Sequence, residues 1–166
     1  MTIERSQRPV ARARIRRIAR ELLEASRLCA IATVTRDGRA YVNTAYFAWA
    51  SDLRVVWISD PRATHSRNLR ANPSAAVAVY DSDQTWGEPD RGVQLFGAAG
   101  EGGSDAAEVY TGRFPEYEEG TYRCYELRPR RIKLFDERAL GAGTFVTARV
   151  TPGGDVAWQR TEIYRQ

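Results

Sequence analysis

The sequence predicts a mainly β fold, a small antiparallel barrel with flanking helices. Three observations predict it. Short apolar, β-branched runs recur between turn signals from residue 28 to the end. The first two runs are joined by a tight turn centred on Asp37-Gly38, and helical periodicity is confined to the start of the chain and to short intervals between runs. Six or more such runs without regular strand–helix alternation favour an antiparallel barrel over a doubly wound sheet.

Residues 1–10 contain Ser6, Gln7 and Pro9 with no period and read as a flexible basic arm, ahead of a single domain over 11–166. From Ala11 to Ser26 the apolar positions Ala11, Ile15, Ile18, Leu22 and Ala25 recur at steps of four and three, one face of a helix. Arg12, Arg16, Arg20 and Glu24 fall on the other face, as a solvated surface or an anion-binding strip. Strands follow over 28–35 and 41–49 as a hairpin, then over 53–59, ended by Asp60-Pro61. Residues 62–72 form a short helix closed by Asn72-Pro73, since a proline disfavours helical geometry in the residue before it. Further strands are expected over 75–80 and 93–99, a helix capped by Ser104 over 105–111, and strands over 121–127 and 131–135 interrupted at Pro129. The tail adds 144–150 and 156–164.

Composition removes several function classes. The chain has 166 residues, 43% hydrophobic and 28% charged, enough for one core. Its net charge of +4 is concentrated in residues 1–29, and every cationic residue but Lys133 is arginine. That pattern follows an Ala- and Gly-rich composition and argues against a dedicated nucleic-acid partner. No apolar run approaches the roughly 20 residues that cross a bilayer, so a cytoplasmic protein without a membrane partner is expected. Cys29 and Cys124 are too few for a disulfide framework and read as buried thiols. With His65 the lone histidine, no metal site is expected.

The segment Ile58-Ser59-Asp60-Pro61-Arg62-Ala63-Thr64-His65-Ser66-Arg67 is a strand end feeding a helix. Free backbone N–H groups at that helix start, with Ser59, Thr64, His65 and Arg67 as donors, suit a phosphate. The same residue types also serve as ordinary helix caps.

The order ATVTRDGRAYVNTAYFAW, VVWISD, THSRNLRANPSAAVAVY and RGVQLFGAAGEG resembles the pyridoxamine 5′-phosphate oxidase-like superfamily of FMN-binding, six-stranded antiparallel split barrels, over about residues 28–102. The resemblance implies that FMN phosphate is held where the family carries a second-strand arginine and a Ser-Arg-Lys run, positions occupied here by Asn43 and by Ala63-Thr64-His65. Arg67 or the arginines of the first helix would compensate for the lost charge. It further places Ala45, Tyr46 and Phe47 at the flavin ring edge. Ile58 and Ser59 match the family's third-strand Tyr-Thr pair, Arg91 and Gln94 its RQVRVEG strand, and Trp158 its terminal tryptophan. Tyr46, Trp57, Trp86 and Trp158 are candidate ring-lining aromatics or plain packing.

Departures matter for substrate. The family's substrate-phosphate stretch is reduced to Tyr110 and Arg113, and Glu162 replaces a terminal arginine, which argues against pyridoxamine phosphate oxidase activity itself. The resemblance implies an FMN flavoprotein oxidoreductase, acting on a small molecule with a reduced nicotinamide as possible donor, and a homodimer with the cofactor between subunits. The alternatives are a deazaflavin-dependent reductase of the same fold and a non-enzymatic flavin- or haem-binding module.

Overall fold

Turn chemistry and strand alternation set the element order. A computed structural model describes residues 2–81, 83–118 and 120–165. The elements are β1 (Thr2–Ser6), α1 (Arg12–Ala25), β2 (Leu28–Val34), β3 (Ala40–Trp49), β4 (Val55–Ser59), α2 (Thr64–Ala71) and β5 (Ser74–Tyr80). They continue with β6 (Arg91–Glu101), α3 (Ser104–Arg113), β7 (Arg123–Asp136), α4 (Glu137–Leu140), β8 (Thr144–Val150) and β9 (Val156–Arg165).

Six strands in the order β7-β4-β3-β2-β5-β6 close into an antiparallel barrel through the β6–β7 pairing. Strand β7 belongs to two layers. Its first half, Arg123–Leu127, pairs with β4, and its second half, Arg131–Phe135, pairs with β8, which carries β9 and β1 outside the barrel. The bend between the halves falls at a register shift where Gly97 faces Pro129. A Cβ on Gly97 would stand 2.0 Å from the Arg128 carbonyl oxygen, so only glycine admits this approach. Proline is tolerated there because the bulge already interrupts the ladder.

Inward positions form continuous rows across the barrel, such as Ile31, Val77, Leu95 and Ile132, all essentially without solvent contact. Burial of each such side chain contributes about 1.5–3 kcal/mol. Helix α1 closes one end with Ile15, Ile18, Ala19, Leu22 and Leu23. Helix α2 places Leu69 in the same core and meets β2, β3 and β6. A second cluster of Ala48, Val56, Ala106 and Tyr110 lies under α3.

Helix α1 carries no basic residue in its last turn. Arg113 supplies that charge from α3, donating to the carbonyls of Leu23 (3.4 Å), Glu24 (3.2 Å), Ser26 (2.9 Å) and Phe47 (3.1 Å).

Several expectations are corrected. The stretch read as a flexible arm contains β1, paired antiparallel with β9 from Thr2↔Arg165 to Ser6↔Thr161; its side chains are largely exposed, so the pairing rests on backbone hydrogen bonds that no hydrophobic pattern announces. Pro129 bends β7 without breaking it. Strand β6 runs on to Glu101, and Gly103, not Ser104, precedes α3, with no side-chain cap. The arginine stripe is only partly solvated. Arg16 donates to Gly154 O (3.1 Å) and Ser51 O (3.2 Å), and Arg20 lies 5.9 Å over the Trp49 ring, so these side chains dock α1 onto two neighbouring turns and the end of β3.

Candidate functional site

Two helices cover opposite ends of the barrel, and they separate the charges that the sequence allowed to act together. Glu24 of α1 accepts the Trp49 indole N–H (3.1 Å), and Trp49 pairs with Val55 at the start of β4. Ser59 lies four residues further along β4, about 13 Å away at the usual strand rise. Arg16 and Arg20 dock at the Trp49 end, so within one chain the α1 arginines do not supplement a site at Ser59.

At the far end the β4–α2 connection builds a hydroxyl–imidazole cluster. Ser59 Oγ lies 2.6 Å from His65 Nε2, and the Ser66 hydroxyl donates to Ser59 Oγ at 3.1 Å. Asn68 Nδ2 donates to Thr33 Oγ1 (3.0 Å), tying α2 to β2. Ser59, Ser66, Asn68 and Thr33 are buried, whereas His65 and Thr64 are half-buried and Arg67 is exposed. Helix α2 starts after Ala63 with no side-chain cap, leaving its first-turn N–H groups for a ligand or solvent. Burial pushes the His65 pKa below its ordinary value, so the imidazole is neutral near pH 7. Arg62 is held by Asp60 (Nη2–Oδ2 2.9 Å), which leaves Arg67 as the nearest helical cation; its Nη2 lies 3.4 Å from Thr64 Oγ1.

The second strand adds an unsatisfied group. Asn43 shares the inward face with Ile31, and its Oδ1 is buried without a hydrogen-bond partner. Continuing the β3–β4 register beyond Phe47↔Trp57 sets Ala45 opposite Ser59. The other expected ligands are distributed elsewhere. Tyr46 and Gln94 face the outer side of the sheet, and Ile58 packs toward α3. Trp158 lies on β9, three places from β4 in the sheet order, where its indole donates to Thr161 Oγ1 (2.9 Å). Trp57 is a core residue stacked on Tyr125, while Trp86 is almost fully exposed on the 81–90 connection.

Three residues carried over from substrate or strand motifs have structural partners. Arg91 pairs with the buried Asp136 through Nε and Nη2, both at 3.0 Å from Oδ2. Arg113 caps α1, and Tyr110 is buried in the α3 cluster. No His/Cys/Asp/Glu group suited to a metal ion occurs among the described residues.

Residues 15–135 match the Pyridoxamine 5'-phosphate oxidase family, which spans the barrel and the β4–α2 cluster. The chain belongs to this family. Within it, the chain is 29% identical over 111 residues to the pyridoxine/pyridoxamine 5'-phosphate oxidase of Rubrobacter xylanophilus. That alignment covers 66% of this chain and 49% of the relative, so the chain spans about half the length of the curated relative it matches. Two solved structures share the fold. One is a heme binding protein from Mycobacterium smegmatis, with 21% identity, 87% of this chain and 60% of that chain covered, and a TM-score of 0.65. The other is a FAD-binding protein from Mesorhizobium loti, with 18% identity, 80% and 96% covered, and a TM-score of 0.58. In this chain the family's mainly β split barrel is present. No described helix is long and apolar enough to cross a membrane.

Arg123 carries no signal in the linear sequence that connects it to Ser59. It is the β7 partner of Ser59, a neighbour that only the sheet register reveals.

Proposed function

We propose that this chain is an FMN-binding oxidoreductase of the pyridoxamine 5'-phosphate oxidase-like type, acting on a small molecule other than pyridoxamine phosphate. The observation that carries the reading is the Ser59–His65–Ser66 cluster beneath an uncapped α2 N-terminus, beside the partnerless Asn43 Oδ1. Hydroxyls, a neutral imidazole, first-turn N–H groups and Arg67 form a donor set that fits a phosphate. Asn43 Oδ1 is an acceptor, which fits a polyol hydroxyl such as those of a ribityl chain. Thr64, His65 and Arg67 would hold the phosphate, and Ser59 and Ser66 would fix the imidazole. Bound flavin would supply electron and hydride transfer, so the protein's part is orientation and exclusion of water.

The family's homodimer is part of the same reading. The outer face of β2, β3 and β5 exposes Leu28, Val42, Tyr46 and Tyr80 around Ala30, Ala32, Ala76 and Ala78. A largely apolar sheet face of this kind, with exposed Thr44 its polar member on β3, favours a partner, and the flatness conferred by four alanines suits a second copy of the same face. Tyr46 lies on it and Gln94 stands beside it on β6, opposite Ala78, so dimerisation would bring them to a cleft that one chain leaves open.

The spectrum of the purified protein and of its released chromophore tests the reading. Flavin bands support it, deazaflavin bands replace FMN by that coenzyme, and a Soret band assigns haem. Haem ligation by His65 must compete with the Ser59 contact at Nε2. Oxidation of a reduced nicotinamide by the loaded protein separates an enzyme from a binding module. Thr64→Ala with His65→Ala should weaken FMN binding, and Val42→Glu should shift the oligomer toward monomer in light scattering. An FMN affinity unchanged by the double substitution would overturn the phosphate assignment.

A further inference from the structure

The candidate phosphate pocket is short of positive charge on its own elements. Asn43 and Thr64 are neutral, burial favours neutral His65, and Arg62 is committed to Asp60. A phosphate monoester near pH 7 carries between one and two negative charges. Arg67 alone leaves part of that uncompensated.

Sheet register supplies a second cation. Arg123 begins β7 directly opposite Ser59, the last residue of β4. Directly opposed residues point to the same side of the sheet, with Cβ atoms about 5 Å apart. The alternation along β7 agrees. Tyr125 stacks on Trp57 inside the barrel, Cys124 packs toward α3, and Arg123 therefore returns to the side of Tyr125 and Ser59. Its side chain is 63% exposed, and its Nε lies 3.8 Å from Oε1 of Glu101, whose side chain is 55% exposed. An exposed, long ion pair of this kind holds its partners weakly, so Arg123 is free to turn to a stronger anion.

We infer that Arg123 is the second cation of the phosphate site, taking over from β7 the charge that the family places on its second strand and at its helix start, with Glu101 as the counter-ion that a bound phosphate displaces. The inference rests on the FMN reading above. Arg123 is a binding and specificity residue in this role: it distinguishes phosphorylated from unphosphorylated flavin and makes no contribution to the ring chemistry. The guanidinium fork suits phosphate oxygens, which a lysine would meet only as a point charge.

The test compares FMN with riboflavin on the full chain, by flavin fluorescence quenching at fixed ionic strength. Arg123→Ala should weaken FMN binding about tenfold, the usual size of one lost charge-assisted hydrogen bond, and leave riboflavin affinity unchanged. Arg123→Lys should recover part of the loss. Glu101→Gln, by freeing the guanidinium, should tighten FMN a few-fold and also spare riboflavin. Arg130→Ala, at an exposed arginine elsewhere on β7, serves as the charge control and should change neither affinity. Unchanged FMN affinity in Arg123→Ala, with the native chain binding FMN, overturns the role of Arg123 and leaves the FMN reading standing. Equal losses for FMN and riboflavin also overturn it, since they report damage to the pocket rather than loss of a phosphate contact. A native chain that binds neither flavin removes the parent reading and this one with it.

Discussion

Ser59 Oγ and His65 Nε2 lie 2.6 Å apart at the junction of β4 and α2, and the Ser66 hydroxyl closes the chain from behind. The contact holds a partly buried imidazole against the barrel rim. It links the stability of the empty protein to pH, because burial lowers the His65 pKa.

The sign follows from proton binding. The unfolded imidazole titrates near about 6.5 and the folded one lower, so in between the unfolded chain binds more protons. The contribution of His65 is complete above that unfolded value and is lost as pH falls through the window below it. Asp60 and Asp105, both lowered by arginine partners, lose their contributions only in the more acidic carboxylate range. The urea midpoint of the ligand-free protein should therefore drop between pH 7.5 and pH 5.5, and His65→Gln should flatten that drop. Parallel pH profiles for the two proteins would contradict the linkage.

Arg113 joins α3 to the end of α1 through four carbonyl contacts, and its side chain is 14% exposed. Arg113→Met should cost about 2–4 kcal/mol in denaturant unfolding, since it strips charged donors from carbonyls at a helix terminus. Arg113→Lys should recover little, because one ammonium cannot span the positions that a planar fork reaches. FMN affinity should hold in both variants if the residue is structural, as its partners indicate.

Arg91 and Asp136 make a second test of role. Asp136 is 1% exposed and also accepts the Ala139 N–H (3.0 Å). Arg91→Leu leaves that carboxylate buried without its cation and should destabilise by about 3–5 kcal/mol. The double variant Arg91→Leu with Asp136→Leu should lose less than the sum of the singles, as a pair in contact is coupled. Additive losses would mean that the two side chains act independently.

The barrel was legible where local signals and tertiary pairing agree. The period of four and three from Ile15 to Leu22 is the buried face of α1, and Asp37-Gly38 sits at the hairpin turn with Gly38 at φ +83°. Pro129 reads as a strand break because proline lacks a ladder donor, yet the bulge against Gly97 makes that donor unnecessary. Strand β1 escaped notice because its partner edge is about the whole chain away and its side chains stay in solvent. At the site, Ser59 and His65 are six residues apart and visible together. Arg123 is 64 positions beyond Ser59 and becomes a neighbour only once β4 and β7 pair.

The two thiols should differ sharply in reactivity. Neither cysteine forms a disulfide, and the expectation that both are buried holds for Cys29 alone; Cys124 is half-buried on the α3 side. Burial pushes the Cys29 pKa up to about 12, opposed only by its hydrogen bond with the Ala45 backbone. A thiol with that pKa holds almost no thiolate at pH 8, and thiolate is the reacting form. Cys29 is also 2% exposed, so a reagent reaches it only when β2 separates from β3. With an excess of an aromatic disulfide reagent at pH 8, one equivalent should react quickly, at Cys124, and the second at the rate set by opening of the barrel. Cys124→Ser should remove the fast phase and leave the slow one, and urea should accelerate the slow phase in proportion to the loss of stability. A fast phase that survives Cys124→Ser would show that Cys29 is accessible in the folded barrel and that β2 is not held as the register indicates.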